Sequence, residues 1–153
     1  MKLPEIDQSI LPWIGKTGKW MGIYISEKFK KYQLKLTLEQ WVVLKILHEE
    51  DGRMQNDLAI VTKRNKTSLT RLINTMERNH LVARIPDTTD KRVNRVFLTK
   101  NGRKVFASTF FIIEEVKQEL QAGLEPKEIE TLIHLLQKVQ NNLKKYQNSC
   151  STN

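Results

Sequence analysis

Residues 81–99 read LVARIPDTTDKRVNRVFLT, and how this stretch folds decides the architecture. Residues 81–86, LVARIP, predict a short strand. Residues 90–99, DKRVNRVFLT, join a tight basic loop to a second strand, and Thr99 then opens a helix that starts TKNGRKVF. The alternation of Val93, Arg95 and Phe97 with Asn94, Val96 and Leu98 is only half clean, which predicts a strand packed on both faces. The loop between the strands, DTTDKRVN, carries Asp87, Asp90, Lys91 and Arg92, so the expected unit is a β-hairpin with a charged tip. A hairpin with arginine at its tip, directly after a basic helix, suits a nucleic-acid groove.

The charge distribution agrees. The chain has 26 Lys+Arg against 17 Asp+Glu, a net charge of +9. Residues 52–104 hold 13 of those bases and 4 of the acids, so the whole excess lies in one third of the sequence and the remainder is neutral. Such concentration is the footprint of phosphate contact. Basic membrane binders need a single amphipathic helix with bulky apolar residues opposite the charges, whereas here the bases spread over helix, loop and hairpin. No apolar run approaches the roughly 18 residues of a membrane span, and the start MKLPEIDQSI does not read as a signal peptide. A cytoplasmic, single-domain protein of 153 residues is expected, with no membrane partner. The one cysteine, Cys150, lies in the polar tail NSCSTN, which excludes an internal disulfide and leaves a zinc site without a second thiolate. It reads as an incidental thiol.

Helical periodicity surrounds the hairpin. Residues 12–32 predict one long helix with Trp13, Trp20, Met21, Tyr24 and Phe29 among its apolar positions and Pro12 in its first turn. Gly15, Gly18 and Gly22 interrupt it, each costing roughly 1 kcal/mol relative to alanine, so close approach of another body to this backbone is expected. Thr37 and Gln40 form a capping-box pattern ahead of a helix to about residue 48, whose stripe of Leu38, Trp41, Val42, Leu44 and Leu47 predicts a buried middle helix. A shorter helix follows over residues 55–62.

Asn65 is then a good N-cap for a helix over residues 66–79, with Leu69, Leu72, Ile73 and Met76 at i, i+3, i+4 and i+7. The opposite face carries Thr67, Thr70, Arg71, Asn74 and Arg78, flanked by Ser68 and Thr75, with Lys66 at its start and no acid among them. A helix entering the major groove needs this set: arginine for guanine, asparagine for adenine, and hydroxyls for phosphates and the thymine methyl. Three helices, a strand, a basic tip, a strand and a helix together make a winged helix-turn-helix.

These residues resemble the MarR-type bacterial transcriptional regulators. The resemblance rests on Asp57-Leu58-Ala59, the segment Asn65-Lys66-Thr67-Ser68-Leu69-Thr70-Arg71-Leu72, the exit Leu81-Val82-Ala83-Arg84, and the wing from Asp90-Lys91-Arg92 to Leu98-Thr99 and Gly102. It implies a mainly α fold with a small β-hairpin wing and long N- and C-terminal dimerisation helices. Residues 1–153 form a single domain on this reading, with a DNA-binding lobe at 36–104, dimerisation helices at 1–35 and 105–147, and a flexible tail at 148–153. The resemblance further implies that Arg92 enters the minor groove and that Asp90 orients it, shared with Arg84. Lys91, Arg95 and Arg78 are assigned to phosphates, and Lys66, Thr67, Ser68, Thr70, Arg71 and Asn74 complete the reading helix. Two departures from the pattern stand out: His80 occupies the position of a usual glycine before the first wing strand, and the turn at residues 62–64 also lacks glycine. His80 is therefore expected in left-handed backbone conformation.

The remaining apolar stripes fit dimerisation. Val105, Phe106, Phe110, Ile113, Val116 and Leu120 predict one helix over residues 100–122 closed by Gly123, and Pro126 starts another to about residue 147. A lone protomer has little with which to bury both, whereas a two-fold homodimer covers them and presents two reading helices about one DNA turn apart. Enzyme motifs are lacking: His48, His80 and His134 lie on separate elements, with no HExxH, no glycine-rich phosphate loop and no G-x-S-x-G, so neither catalysis, metal nor cofactor is expected.

The expected function is thus a sequence-specific, double-stranded-DNA-binding regulator, a repressor acting as a homodimer on a pseudo-palindromic operator. The alternative is an architectural winged-helix protein of low sequence specificity. The family often binds small phenolic or aromatic effectors, and Trp13, Trp20, Tyr24 and Trp41 are candidates to line such a pocket beside the glycines of the first helix. Aromatics at helical spacing, however, more often serve as dimer core.

Overall fold

The computed structural model describes residues 6–150. A short 3-10 turn at Ile6–Gln8 precedes α1 (Leu11–Lys31), and α2 (Leu38–Glu49), β1 (Arg53–Met54), α3 (Gln55–Val61) and α4 (Lys66–Arg78) follow. The wing is β2 (Val82–Pro86) and β3 (Asn94–Leu98), after which come α5 (Lys100–Ser108), α6 (Phe110–Leu120) and α7 (Pro126–Cys150). Two compact units divide after Glu114.

The caps form as their residues dictate. Thr37 Oγ1 accepts the Gln40 amide at 3.2 Å while Gln40 Oε1 accepts the Thr37 amide at 3.0 Å, a complete capping box worth about 1 kcal/mol. Asn65 Oδ1 accepts the Ser68 amide at 2.7 Å and starts α4. Three helices end in the Schellman motif, each with a residue other than glycine in the left-handed position. Gln33 (φ 58°) closes α1, Lys63 (φ 55°) closes α3 and His80 (φ 55°) closes α4. Behind each lies the same bond pair, for α4 His80 N–H to Glu77 O at 3.0 Å and Leu81 N–H to Met76 O at 2.9 Å. His80 thus takes the backbone conformation expected of it, and Lys63 does the same at the glycine-free turn.

β3 is the centre of a three-stranded antiparallel sheet ordered β1-β3-β2, with Val82 opposite Leu98, Arg84 opposite Val96 and Pro86 opposite Asn94. The two-residue β1, absent from the sequence reading, pairs Arg53 with Val96 and Met54 with Arg95. Val96 and Leu98 are buried in the core, while Phe97 lies over Gly52 on the other face, where a Cβ would stand 2.6 Å from its ring. The strand is therefore covered on both sides. Leu44 and Leu47 of α2, Leu58 of α3, Leu69, Ile73 and Met76 of α4, and Val82 form the core beneath it, each nearly fully buried. Burial of each such side chain contributes about 1.5–3 kcal/mol, which is what presses α4 and the hairpin onto one scaffold.

The single helix expected over residues 100–122 is two. Thr109, wholly buried, breaks it: its amide and its hydroxyl both donate to Phe106 O, at 3.0 and 2.7 Å, tightening one turn so that α5 stops and α6 restarts. Gly123 follows α6 with φ +79°. α7, considered by itself, continues to Cys150, three residues past the expected end, and Leu132, Ile133, Leu135 and Leu143 along it are each at least half exposed. The Cys150 thiol and residues 151–153 of the expected flexible tail lie outside the described residues. Among the described residues, a Cβ at Gly15 or Gly18 would meet nothing within 4 Å, and one at Gly22 would meet only Leu38, at 4.0 Å. No described helix is long and apolar enough to cross a membrane.

Candidate nucleic-acid interface

Burial of Leu69, Ile73 and Met76 turns the other side of α4 to solvent, and Lys66, Thr67, Arg71, Asn74 and Arg78 are exposed along it. Three of the four hydroxyl groups of this helix, those of Ser68, Thr70 and Thr75, have internal work. Ser68 Oγ accepts Arg64 Nη1 at 2.7 Å, and Arg64 also pairs with Glu39 of α2 at 2.5 Å, tying the α3–α4 turn to the scaffold. Thr70 Oγ1 donates to Lys66 O at 2.8 Å and accepts Gln55 Nε2 at 3.0 Å. Thr75 Oγ1 donates to Arg71 O and accepts Arg78 Nη2, both at 3.1 Å. Ser68 and Thr70 therefore serve first as fasteners of α4, and Lys66, Thr67 and Arg71 are the outward groups without such bonds.

Asp87 organises the wing loop. Its Oδ2 accepts the Thr89 hydroxyl at 2.5 Å and the Thr89 and Asp90 amides at 3.2 Å each, and its Oδ1 accepts Arg95 Nε at 2.5 Å. The Thr89 hydroxyl, then the Arg95 guanidinium, then the Asp90 amide hold this carboxyl well below the usual carboxylate range. Arg95 also donates to Gly52 O at 2.9 Å, so it pins the hairpin to the β1 turn. Two of its three guanidinium nitrogens, Nε and Nη1, are thus engaged inside the protein, which gives Arg95 a structural role beside the phosphate contact expected of it.

At the tip, Asp90 Oδ1 accepts the Arg92 amide at 3.0 Å and Arg92 Nε at 3.2 Å, and the Arg92 side chain is 92% exposed. Lys91 beside it is exposed. Arg84 is not part of this pair, contrary to the expectation that it shares Asp90. It sits at the base of the wing on β2 and donates to Gln55 Oε1 of α3 at 2.9 Å, to Glu77 Oε2 at 2.9 Å and to Asn74 Oδ1 at 2.7 Å. The reason is reach: β2 packs along α4, which brings Arg84 over Glu77 and Asn74 rather than toward the tip.

The aromatic candidates part company. Trp41 belongs to the core, its indole N–H donating to Thr109 Oγ1 at 3.0 Å and its ring 6.2 Å from that of Phe106. Trp13, Trp20 and Tyr24 share one face of α1, with both tryptophans more than 60% exposed. At about 100° per residue the three glycines lie on the opposite face, so the aromatics do not stand beside them. Sequence reasoning missed Gln55, Glu77 and Asp87. Asp87 was within reach, because a hairpin that pairs Pro86 with Asn94 sets residue 87 opposite Val93 and diagonal to Arg95; Gln55 carries no such signal.

The family model described as MarR family matches residues 36–93, which span α2, the α3–α4 pair and the wing tip. The homoprotocatechuate degradative operon repressor of Escherichia coli is 32% identical over 102 residues, covering 67% of this chain and 69% of the repressor. The chain belongs to the MarR family. The HTH-type transcriptional regulator YybA of Bacillus subtilis (strain 168) is 28% identical over 136 residues, 89% of each chain. Among solved structures, that of the S. aureus MepR–DNA complex superposes with a TM-score of 0.80 at 26% identity, covering 88% of this chain and 98% of MepR. MarR proteins are winged-helix transcriptional regulators that bind DNA, not enzymes. The α4 face and the Arg92 tip both turn hydrogen-bond donors to solvent. Among the described residues, no group of three or more His, Cys, Asp or Glu is placed to hold a metal ion.

Proposed function

We propose that this MarR protein is a repressor that acts in the cytoplasm as a homodimer, reading a pseudo-palindromic operator with α4 in the major groove and Arg92 in the minor groove. The observation that carries the reading is the pairing of an acid-free outward face, Lys66, Thr67, Arg71, Asn74 and Arg78, with an arginine held at the wing tip by Asp90. Lys91, Arg78 and Arg95 take the flanking phosphates; Arg84 does not touch DNA.

Dimerisation is supported by the apolar side chains left exposed on α1 (Leu11, Trp13, Trp20, Ile23) and on α7 (Leu132, Ile133, Leu135, Leu143) in the single chain. Repression is supported by the similarity to the homoprotocatechuate degradative operon repressor. Homoprotocatechuate is itself a phenol, which supports a small phenolic effector for this chain too, with Trp13, Trp20 and Tyr24 as the aromatic residues able to report its arrival.

In vitro selection of bound duplexes, followed by footprinting, tests the reading. The expected result is a two-fold site bound at least about a thousandfold tighter than random DNA. A ratio near unity removes the regulator and leaves an architectural protein. Light scattering is expected to give twice the protomer mass, and a panel of phenolic acids is expected to quench tryptophan fluorescence and release the DNA.

A further inference from the structure

Arg84 commits all three guanidinium nitrogens within the protein, to Gln55 Oε1 through Nε, to Glu77 Oε2 through Nη1, and to Asn74 Oδ1 and Thr70 O through Nη2. Its backbone amide adds a bond to Glu77 Oε1 at 3.2 Å. Gln55 and Glu77 hold the guanidinium plane from two sides, so its position is not set by Asn74. A guanidinium has donors only, and therefore the Asn74 atom at 2.7 Å must be the carbonyl oxygen and not the amide nitrogen. Asn74 itself is exposed on the outward face of α4, one turn from both Arg71 and Arg78.

The polarity of that asparagine has a chemical consequence. Asparagine reads adenine by accepting from N6–H with its oxygen while donating to N7 with its nitrogen. Here a charge-assisted hydrogen bond draws the oxygen toward β2, and the NH₂ group is left as the outward end. A group that presents two N–H donors matches the guanine edge, whose N7 and O6 are both acceptors, and opposes the amine of adenine.

We propose that Arg84 is a specificity-determining positioning residue: by holding the Asn74 carbonyl, it makes Asn74 a donor-only reader that selects guanine over adenine. This rests on the reading of α4 as the major-groove helix. Nothing in it requires Arg84 to touch DNA.

The test is in vitro selection of bound duplexes with the wild-type protein and three variants. With wild type, one position per half-site is expected to be guanine, and N74A is expected to lose preference there by about tenfold while other positions keep theirs. R84M frees the asparagine oxygen and is expected to admit adenine at that position, again by about tenfold. N74D keeps its bond to Arg84 but turns an oxygen outward, so the same position is expected to switch to cytosine, whose N4 amine donates; this variant alters an exposed residue and guards against loss of fold in R84M. Adenine at the Asn74-dependent position in wild type overturns the proposal, as does N74D retaining guanine, or R84M weakening all sequences equally. A wild-type protein that selects no sequence at all overturns the groove reading itself, an outcome distinct from a selected site with the wrong base.

Discussion

Replacing Gly102 by alanine tests how tightly the wing is seated on α5. Gly102 lies in the first turn of α5, its amide capped by Thr99 Oγ1 at 2.9 Å, and a Cβ there would stand 2.0 Å from Leu81 O and 3.0 Å from Leu81 C. Ordinary C···O contact begins near 3.3 Å, so a gap of about 1.3 Å must open. Both partners are backbone, and no rotamer change relieves the clash. If α5 lifts, it strains the bond from Thr99 N–H to Leu81 O (3.1 Å) and the bond from Thr99 Oγ1 to His80 O (2.5 Å). Overpacking costs about 1–3 kcal/mol, and the two weakened bonds add about 0.5–1.5 kcal/mol each. The gain in helix propensity returns up to about 1 kcal/mol, which leaves a net destabilisation of about 3 kcal/mol. Urea unfolding at a fixed protein concentration measures it, with an unchanged slope and a midpoint lower by roughly 1–2 M. Because Leu81 leads directly into β2, DNA affinity is expected to fall as well. A loss of stability below about 1 kcal/mol refutes the reasoning, since the two backbones then separate at almost no cost.

Arg92→Ala is expected to weaken operator binding by about 1–3 kcal/mol in fluorescence anisotropy with no change in thermal stability; equal affinity removes the wing tip from the mechanism. His80→Gly relieves a left-handed residue whose backbone bonds to Glu77, Thr99 and Asn101 are unaffected, and about 0.5–1 kcal/mol of added stability is expected; a loss would mean that the imidazole itself packs. Asp87 has a folded-state pKa below its unfolded value near 3.9, so its contribution is complete above about pH 5 and is lost as pH falls toward the folded value. Asp87→Asn is therefore expected to flatten the acid limb of a stability profile measured from about pH 2 to pH 5, and parallel profiles would contradict the assignment.

Much of the lobe was legible because local chemistry and tertiary packing ask for the same residues. Thr37 and Gln40 cap α2, Asn65 caps α4, and the apolar stripe at Leu69, Ile73 and Met76 faces inward as its 3.6-residue period requires. The departures arise where the deciding partner is distant in sequence. Arg95 looks like any exposed strand cation until β1, too short to show a period, brings Gly52 O against it. Arg84 looks like a wing residue until Gln55, 29 positions earlier, is placed beside it. Thr109 breaks a helix that its neighbours favour because a buried hydroxyl must find partners, and the indole of Trp41 is one of them. The aromatics of α1 were misplaced for a simpler reason: composition grouped them with glycines that helical geometry sets on the other side.

The ion pairs of the basic third have a consequence for how binding responds to electrolyte. Six of its 13 bases, Arg53, Arg64, Arg84, Arg92, Arg95 and Arg103, already face carboxylates of this chain, three of which, Glu39, Glu50 and Asp51, come from outside that third. A paired cation must give up its carboxylate before it neutralises a phosphate, so it adds less to counterion release than an unpaired one. Seven remain, so the slope of log affinity against log salt is expected nearer about −6 per protomer than the about −12 that the raw count implies. The protein is therefore expected to release DNA less steeply as ionic strength rises than its net charge suggests, and to hold a specific site under conditions that strip away its non-specific grip.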